Sequence, residues 1–148
     1  MIITVDTSIL VGATSRSNGP ARRLLQTIAE DASHRLVLSP YIIGEVGKAL
    51  SYSRMQAELQ ITPSEIQDHL AWLRHISRQV EPEAGLPVVL TDPKDDPVVY
   101  TAVGARADIL CTRDRGFFQP NVIAFCRRYN IEIMDDIWLL QELIRASR

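Results

Sequence analysis

Short apolar runs alternate along this chain with longer segments of helical period, and this alternation restricts the fold more than any other feature. Ile2–Val5 is a continuous apolar run that ends in Asp6-Thr7-Ser8. Leu36–Leu38, Ile109–Thr112 and Ile131–Met134 are further runs of strand length, and Leu86–Leu90 is either a third strand or an extended segment. From Gly19 to Ala32 the apolar positions Ala21, Leu24, Leu25, Ile28, Ala29 and Ala32 recur at helical spacing, with Arg22, Arg23, Gln26 and Glu30 opposite. Ser39-Pro40 opens another helix with an N-cap and a proline at the first helical position. Ile42, Val46, Ala49 and Leu50 form its core face. Thr62-Pro63-Ser64-Glu65 is a capping box, and the helix behind it turns Ile66, Leu70, Leu73 and Ile76 inward. Asp96-Pro97 starts a helix that runs to about Arg106, and Pro120–Arg128 and Asp135–Arg145 complete the set. Strands alternating with helices predict an α/β/α sandwich with a mainly parallel central sheet. A length of 148 residues suits a single domain over 1–148 with one core.

Bulk properties exclude several functions. No apolar run has the length of a membrane span. The opening MIITVDTSIL lacks the basic start and small-residue cleavage site of a signal peptide, so the expected location is the cytoplasm. A net charge of −2 provides no global basic field, which argues against a purely electrostatic nucleic-acid binder. The basic residues are 14 Arg against two Lys. Arginine suits bidentate phosphate contacts, and a bias of genome composition explains the same skew. Cys111 and Cys126 match no zinc or redox spacing, and Cys111 within DILCT reads as a small buried residue. His34, His69 and His75 form no metal-binding pair and read as surface residues.

In a doubly wound sheet the functional crevice lies at the carboxyl ends of the strands. That rule selects acids. Asp6 ends the first strand, and Asp114 follows Ile109–Thr112. Asp96 begins the helix that leads into that strand, and Glu45 lies in the helix after the second strand. Each has a local explanation as well: Asp6 and Asp96 as N-caps, Asp114 as a turn residue, Glu45 as a solvated helix residue. Independent caps have no reason to gather at one rim. Hard cations such as Mg²⁺ or Mn²⁺ take oxygen ligands, and clustered carboxylates repel one another until a cation neutralises them. Such a cation activates water and stabilises a leaving oxygen, as phosphodiester hydrolysis requires. Gly44 and Gly47 flank Glu45 inside its helix. They imply either close approach of a neighbouring backbone or ligand, or tight helix packing.

At this point the motifs resemble those of the PIN-domain family. MIITVDTSIL is similar to its opening strand and first acid, and SPYIIGEVGKAL to its second motif. DPKDDPVVYTAVGARADILCTRDRGFF resembles the third and fourth motifs, and IEIMDDIWLLQEL the closing strand and helix. The resemblance implies Asp6, Glu45, Asp96 and Asp114 as the metal ligands, with Asp95 and Asp92 as rivals for the third place. Thr112 and Ser8 match supporting polar positions. Arg113, Arg115, Arg16 and Arg22 are candidate phosphate contacts. Gly116 stands where many members carry another acid. The family implies Mg²⁺- or Mn²⁺-dependent cleavage of single-stranded RNA, giving 5′-phosphate and 3′-hydroxyl ends. Small members similar to VapC are toxins of toxin–antitoxin pairs, which implies a homodimer and a cognate antitoxin protein.

Two other readings belong to different classes. A haloacid-dehalogenase-like phosphatase also ends its first strand in Asp, but it needs a second Asp two residues later, where this chain has Ser8. A PIN-like module that binds RNA or protein without cutting is the other.

Overall fold

Five short strands form one parallel sheet in the order β3-β2-β1-β4-β5, in a computed structural model that describes residues 1–148. The central three are β1 (Ile2–Val5), β2 (Arg35–Leu38) and β4 (Ile109–Cys111). They are buried along most of their length, which is why they read as apolar runs rather than alternations. β5 (Glu132–Met134) forms one edge and β3 (Ser77–Gln79) the other.

The third strand is therefore not Leu86–Leu90. Ser77-Arg78-Gln79 carries no apolar pattern, because an edge strand open to solvent needs only its pairing with Leu36–Leu38. In the 86–90 segment Val88 and Val89 are buried, but their amides donate to the Asp96 carboxylate instead of a neighbouring strand.

β1 and β2 are joined by α1 (Thr7–Val11) and α2 (Pro20–Glu30). α3 (Pro40–Leu50), α4 (Ser53–Leu59) and α5 (Pro63–Ile76) lead from β2 to β3. α6 (Asp96–Ala105) precedes β4, α7 (Pro120–Arg127) precedes β5, and α8 (Asp136–Ala146) ends the chain's regular structure. Right-handed crossovers carry the β1–β2 and β2–β3 connections over one face and the β3–β4 and β4–β5 connections over the other. α8 packs on α2, which returns it to the first face. One cluster of 37 buried hydrophobic residues joins both layers, so no second core is needed. No helix is long and apolar enough to cross a membrane.

The expected caps form. Thr62 and Glu65 make the reciprocal capping box, and Ser39 accepts from the Ile42 amide. α1 forms where the helix start after Asp6 is expected, and α4 has no counterpart in the sequence reading: it buries no residue, so it displays no periodic apolar face. His69 is a correction: it is buried, not on the surface, and its Nε2 lies 2.9 Å from the Leu10 carbonyl oxygen.

The strand order places the site. The chain steps from β1 to β2 on one side and later fills β4 on the other, so the direction of winding reverses between β1 and β4. The crevice expected at such a switch point opens at the carboxyl ends of these two strands.

Candidate active site

Asp6 follows the last residue of β1 and caps α1. Its Oδ1 accepts from the Thr7 amide at 2.7 Å, and its Oδ2 accepts from the Thr112 hydroxyl at 2.8 Å. The Ser8 hydroxyl is 3.5 Å from the same Oδ2. Thr112 follows β4, and its hydroxyl also accepts from the Asp114 amide at 3.0 Å. One buried hydroxyl thus links the first acid to the backbone of the fourth. Asp114 caps the 3-10 turn Arg115–Phe118 and holds the Gly116 amide through Oδ1 at 2.8 Å. The cap and turn roles foreseen for Asp6 and Asp114 are real, and they orient the carboxylates instead of competing with a site.

A cavity of ≈ 420 Å³ opens over these residues. Asp6, Glu45, Asp92, Asp95 and Asp114 all line it, and Lys94 is its one cationic residue. Glu45 reaches it from the middle of α3. Tyr41, one turn earlier, also lines the wall and donates its hydroxyl to the Lys94 carbonyl at 2.7 Å. Burial first, then the negative charges of Glu45, Asp95 and Asp92, push the Tyr41 phenol up.

Asp96 is not among the lining residues. Its Oδ1 accepts from the Val88 and Val89 amides at 3.1 and 2.8 Å, so its carboxylate ties down the 86–90 segment. Asp95 is the acid that faces the cavity. It precedes α6 in helical backbone conformation and makes no cap hydrogen bond, so no local amide holds its side chain. The sequence contains both acids, but only the backbone conformation at the helix mouth tells them apart.

The electrostatics single out Asp95. Its Oδ2 is buried with no hydrogen-bond donor. Its carboxyl is pushed up to about 7, first by burial and then by the charges of Asp6, Asp114 and Asp92. Burial also raises Asp6, opposed by the hydrogen bonds from Thr112 and Thr7. No three His, Cys, Asp or Glu side chains meet closely enough here to form a ready-made metal ligand set. The fit to a hard divalent cation rests on donor chemistry: an all-oxygen, negatively charged cluster in which one buried carboxylate oxygen lacks a partner.

The candidate phosphate contacts fare unequally. Arg113 forks onto Asp136, and Arg16 forks onto Glu65. Arg22 lies over the Trp72 ring at 3.9 Å and donates to the Ala13 carbonyl. Only Arg115 has no such side-chain partner in the protein. Gly116 has a steric explanation: a Cβ there would meet Thr91 Oγ1 at 2.8 Å and Asp114 Oδ1 at 3.2 Å. Of the two helix glycines, Gly47 packs against Leu70, with a Cβ falling 3.2 Å from Leu70 Cδ1. Gly44 has nothing within 4 Å, so no neighbouring backbone or side chain approaches it closely. Both cysteines are buried, and burial pushes both thiols up, Cys126 to about 11.

A comparison with curated proteins returns no match. Among protein families, the PIN domain matches residues 3–116, which include all but the first residue of β1, the whole of α3 and β4, and every acid that lines the cavity. The parallel five-stranded sheet agrees with that match, and the chain belongs to the PIN-domain family.

Proposed function

We propose that this protein is an endoribonuclease that hydrolyses phosphodiester bonds of single-stranded RNA. It would hold Mg²⁺ or Mn²⁺ between Asp6, Glu45, Asp95 and Asp114. PIN domains are in general nucleases, and they typically use divalent metals. The observation that carries the reading is the donorless, buried Asp95 Oδ2 among the acids of one cavity. When bound, a divalent cation neutralises charge on the phosphodiester, acidifies water and stabilises the leaving oxygen.

The chain's own groups provide orientation. Thr7 and Thr112 each take one oxygen of Asp6, so this carboxylate cannot rotate away from the cavity. The Gly116 amide fixes one oxygen of Asp114. Glu45 projects from a helix that Gly47 seats closely against Leu70. Lys94 supplies a positive charge at the wall where a scissile phosphate would enter. The Ser8 hydroxyl stands near Asp6 where a haloacid-dehalogenase-like phosphatase needs an acid, which disfavours that chemistry.

The biological role we propose is that of a cytoplasmic toxin in a type II toxin–antitoxin pair, acting as a homodimer with a cognate antitoxin protein. Its support is the likeness of the four motifs to the PIN-domain family, whose small members similar to VapC are such toxins. The test is Mn²⁺-dependent cleavage of an RNA panel by wild type and Asp6→Asn. Cleavage by wild type and none by a folded Asp6→Asn is expected. Full activity in the variant overturns the site.

A further inference from the structure

A second cavity, of ≈ 330 Å³, is lined by Arg35, Arg78 and Arg106 and by no acid. Strand register explains why they converge. Ile2 pairs with Arg35, and Val37 pairs with Arg78. Directly paired residues point to the same face of a sheet, as do residues two apart on one strand. Arg35 and Arg78 therefore stand on one side of the sheet, above an apolar floor that includes Ile2, Val37 and Val80. Arg106 arrives from the other direction, as the C-cap of α6. Its φ of 53° is a left-handed conformation that glycine adopts at lower cost, yet the chain keeps an arginine there.

None of the three guanidinium groups is held by a carboxylate. The arginine ion pairs of this protein are made by Arg16, Arg54, Arg113 and Arg145. Asp108, two residues beyond Arg106, turns Oδ2 to the Ile2 amide at 2.7 Å. In a chain of net charge −2, three unpaired arginines around one concavity are a local reversal of sign. Like charges so placed repel one another until an anion lies between them, and the planar guanidinium fork matches phosphate oxygens.

We propose that this cavity anchors a backbone phosphate of single-stranded RNA at a distance from the acidic cavity. The anchor rests on the ribonuclease reading for the identity of its ligand. The two cavities lie at opposite ends of α6: Asp95 precedes its first turn and Arg106 follows its last. A ten-residue helix separates them by roughly 15 Å, within reach of a strand a few nucleotides long. The anchor would supply a phosphate contact that the arginines nearer the acids, mostly held by other partners, do not.

The test measures binding of a labelled single-stranded RNA to the intact chain in chelator, where no cleavage occurs, across a series of KCl concentrations. Wild type is compared with Arg35→Gln/Arg78→Gln/Arg106→Gln. A charge-matched control carries Arg54→Gln/Arg145→Gln/Arg148→Gln. The three arginines hold one phosphate, and each neutralised single-strand phosphate adds about 0.7 to the salt slope, so their loss flattens it by roughly 0.7 and weakens binding about tenfold. The control should change neither by more than a small part of that. Circular dichroism melts verify the fold, and the single variants Arg35→Gln and Arg78→Gln serve if the triple variant unfolds. Unchanged RNA affinity and slope overturn the anchor. So does a result in which the variants lose inorganic pyrophosphate binding but keep RNA binding, which would mark a free-anion site. Arginine-dependent binding without any Mn²⁺-dependent cleavage would sink the ribonuclease reading and leave the anchor standing. Cleavage with unchanged binding would do the reverse.

Discussion

Arg113 grips the carboxylate of Asp136 through two short bonds, from Nε at 2.6 Å and from Nη2 at 2.5 Å. The pair crosses the edge of the site. Arg113 lies between Thr112 and Asp114, whereas Asp136 opens α8 and is fully buried. The family match ends at residue 116, so this clamp on the β4 turn comes from beyond the matched segment. Truncating Arg113 to Ala would leave a buried carboxylate without compensation. A loss of about 2–3 kcal/mol in unfolding free energy is expected, below the usual range for a fully buried pair because the arginine is half exposed. Asp136→Asn keeps the shape and should lose about 1–2 kcal/mol. Urea unfolding measures both, and a fully stable Arg113→Ala would show that the pair contributes nothing.

Asp95 and Asp96 should behave as opposites. The Asp95 carboxyl has its usual value of 3.8 in the unfolded chain and about 7 in the fold, so ionisation opposes folding. That penalty grows as pH rises from about 4 to about 7 and is complete above it. In chelator at pH 8, Asp95→Asn should gain about 1–2 kcal/mol, after discounting for solvent around this half-exposed group, and should show little gain at pH 4. It should also abolish Mn²⁺-dependent cleavage. Asp96→Ala removes the acceptor of two amides and should lose about 1–3 kcal/mol, because it leaves the Val88 and Val89 N–H groups unpaired. Thermal melts in chelator at both pH values separate the two variants, and the reverse pattern would return the third ligand to Asp96.

Thr112 is expected to act through Asp6 and Asp114. Thr112→Val removes the hydroxyl that donates to Asp6 and accepts from the Asp114 amide. Cleavage should fall at least tenfold, with a higher Mn²⁺ concentration needed for half-activity. Thr112→Ser should restore most of both. If Ser and Val variants behave alike, the hydroxyl is not what positions the acids.

His69 predicts how stability varies with pH away from the acids. Burial lowers its pKa below the usual 6.5, and the nearby Arg22 charge adds to the shift. Its Nδ1 is buried without a partner while Nε2 faces the Leu10 carbonyl, so the neutral ring is the folded form. The unfolded chain takes up the proton first. Stability is therefore full above about pH 6.5 and declines as pH falls below it, by at most about 1.4 kcal/mol per pH unit from this residue. His69→Gln retains a donor for Leu10 and cannot titrate. Its urea midpoint should fall less than that of wild type between pH 7.5 and 5.5, and parallel curves would exclude His69 as the cause.

Much of the fold was legible because its signals are local. The caps at Ser39 and Thr62 and the buried runs of β1, β2 and β4 are written in neighbouring residues. β3 was not legible, since Ser77-Arg78-Gln79 becomes a strand only by lying beside β2. His69 was misread for a similar reason: nothing near it in sequence shows that α1 will cover it. The arginines were misjudged because their partners, Glu65 and Asp136, lie 49 and 23 residues away.

The sequence by itself determined the order of most elements, β3 and α4 excepted, and placed Asp6, Glu45 and Asp114 at one rim, because periodicity, caps and strand ends depend on short stretches of chain. Tertiary structure alone decided which of two adjacent acids faces the cavity. Asp96 swings to the amides of Val88 and Val89, two donors that only the folded 86–90 segment presents, and Asp95 is left with a buried oxygen and no donor.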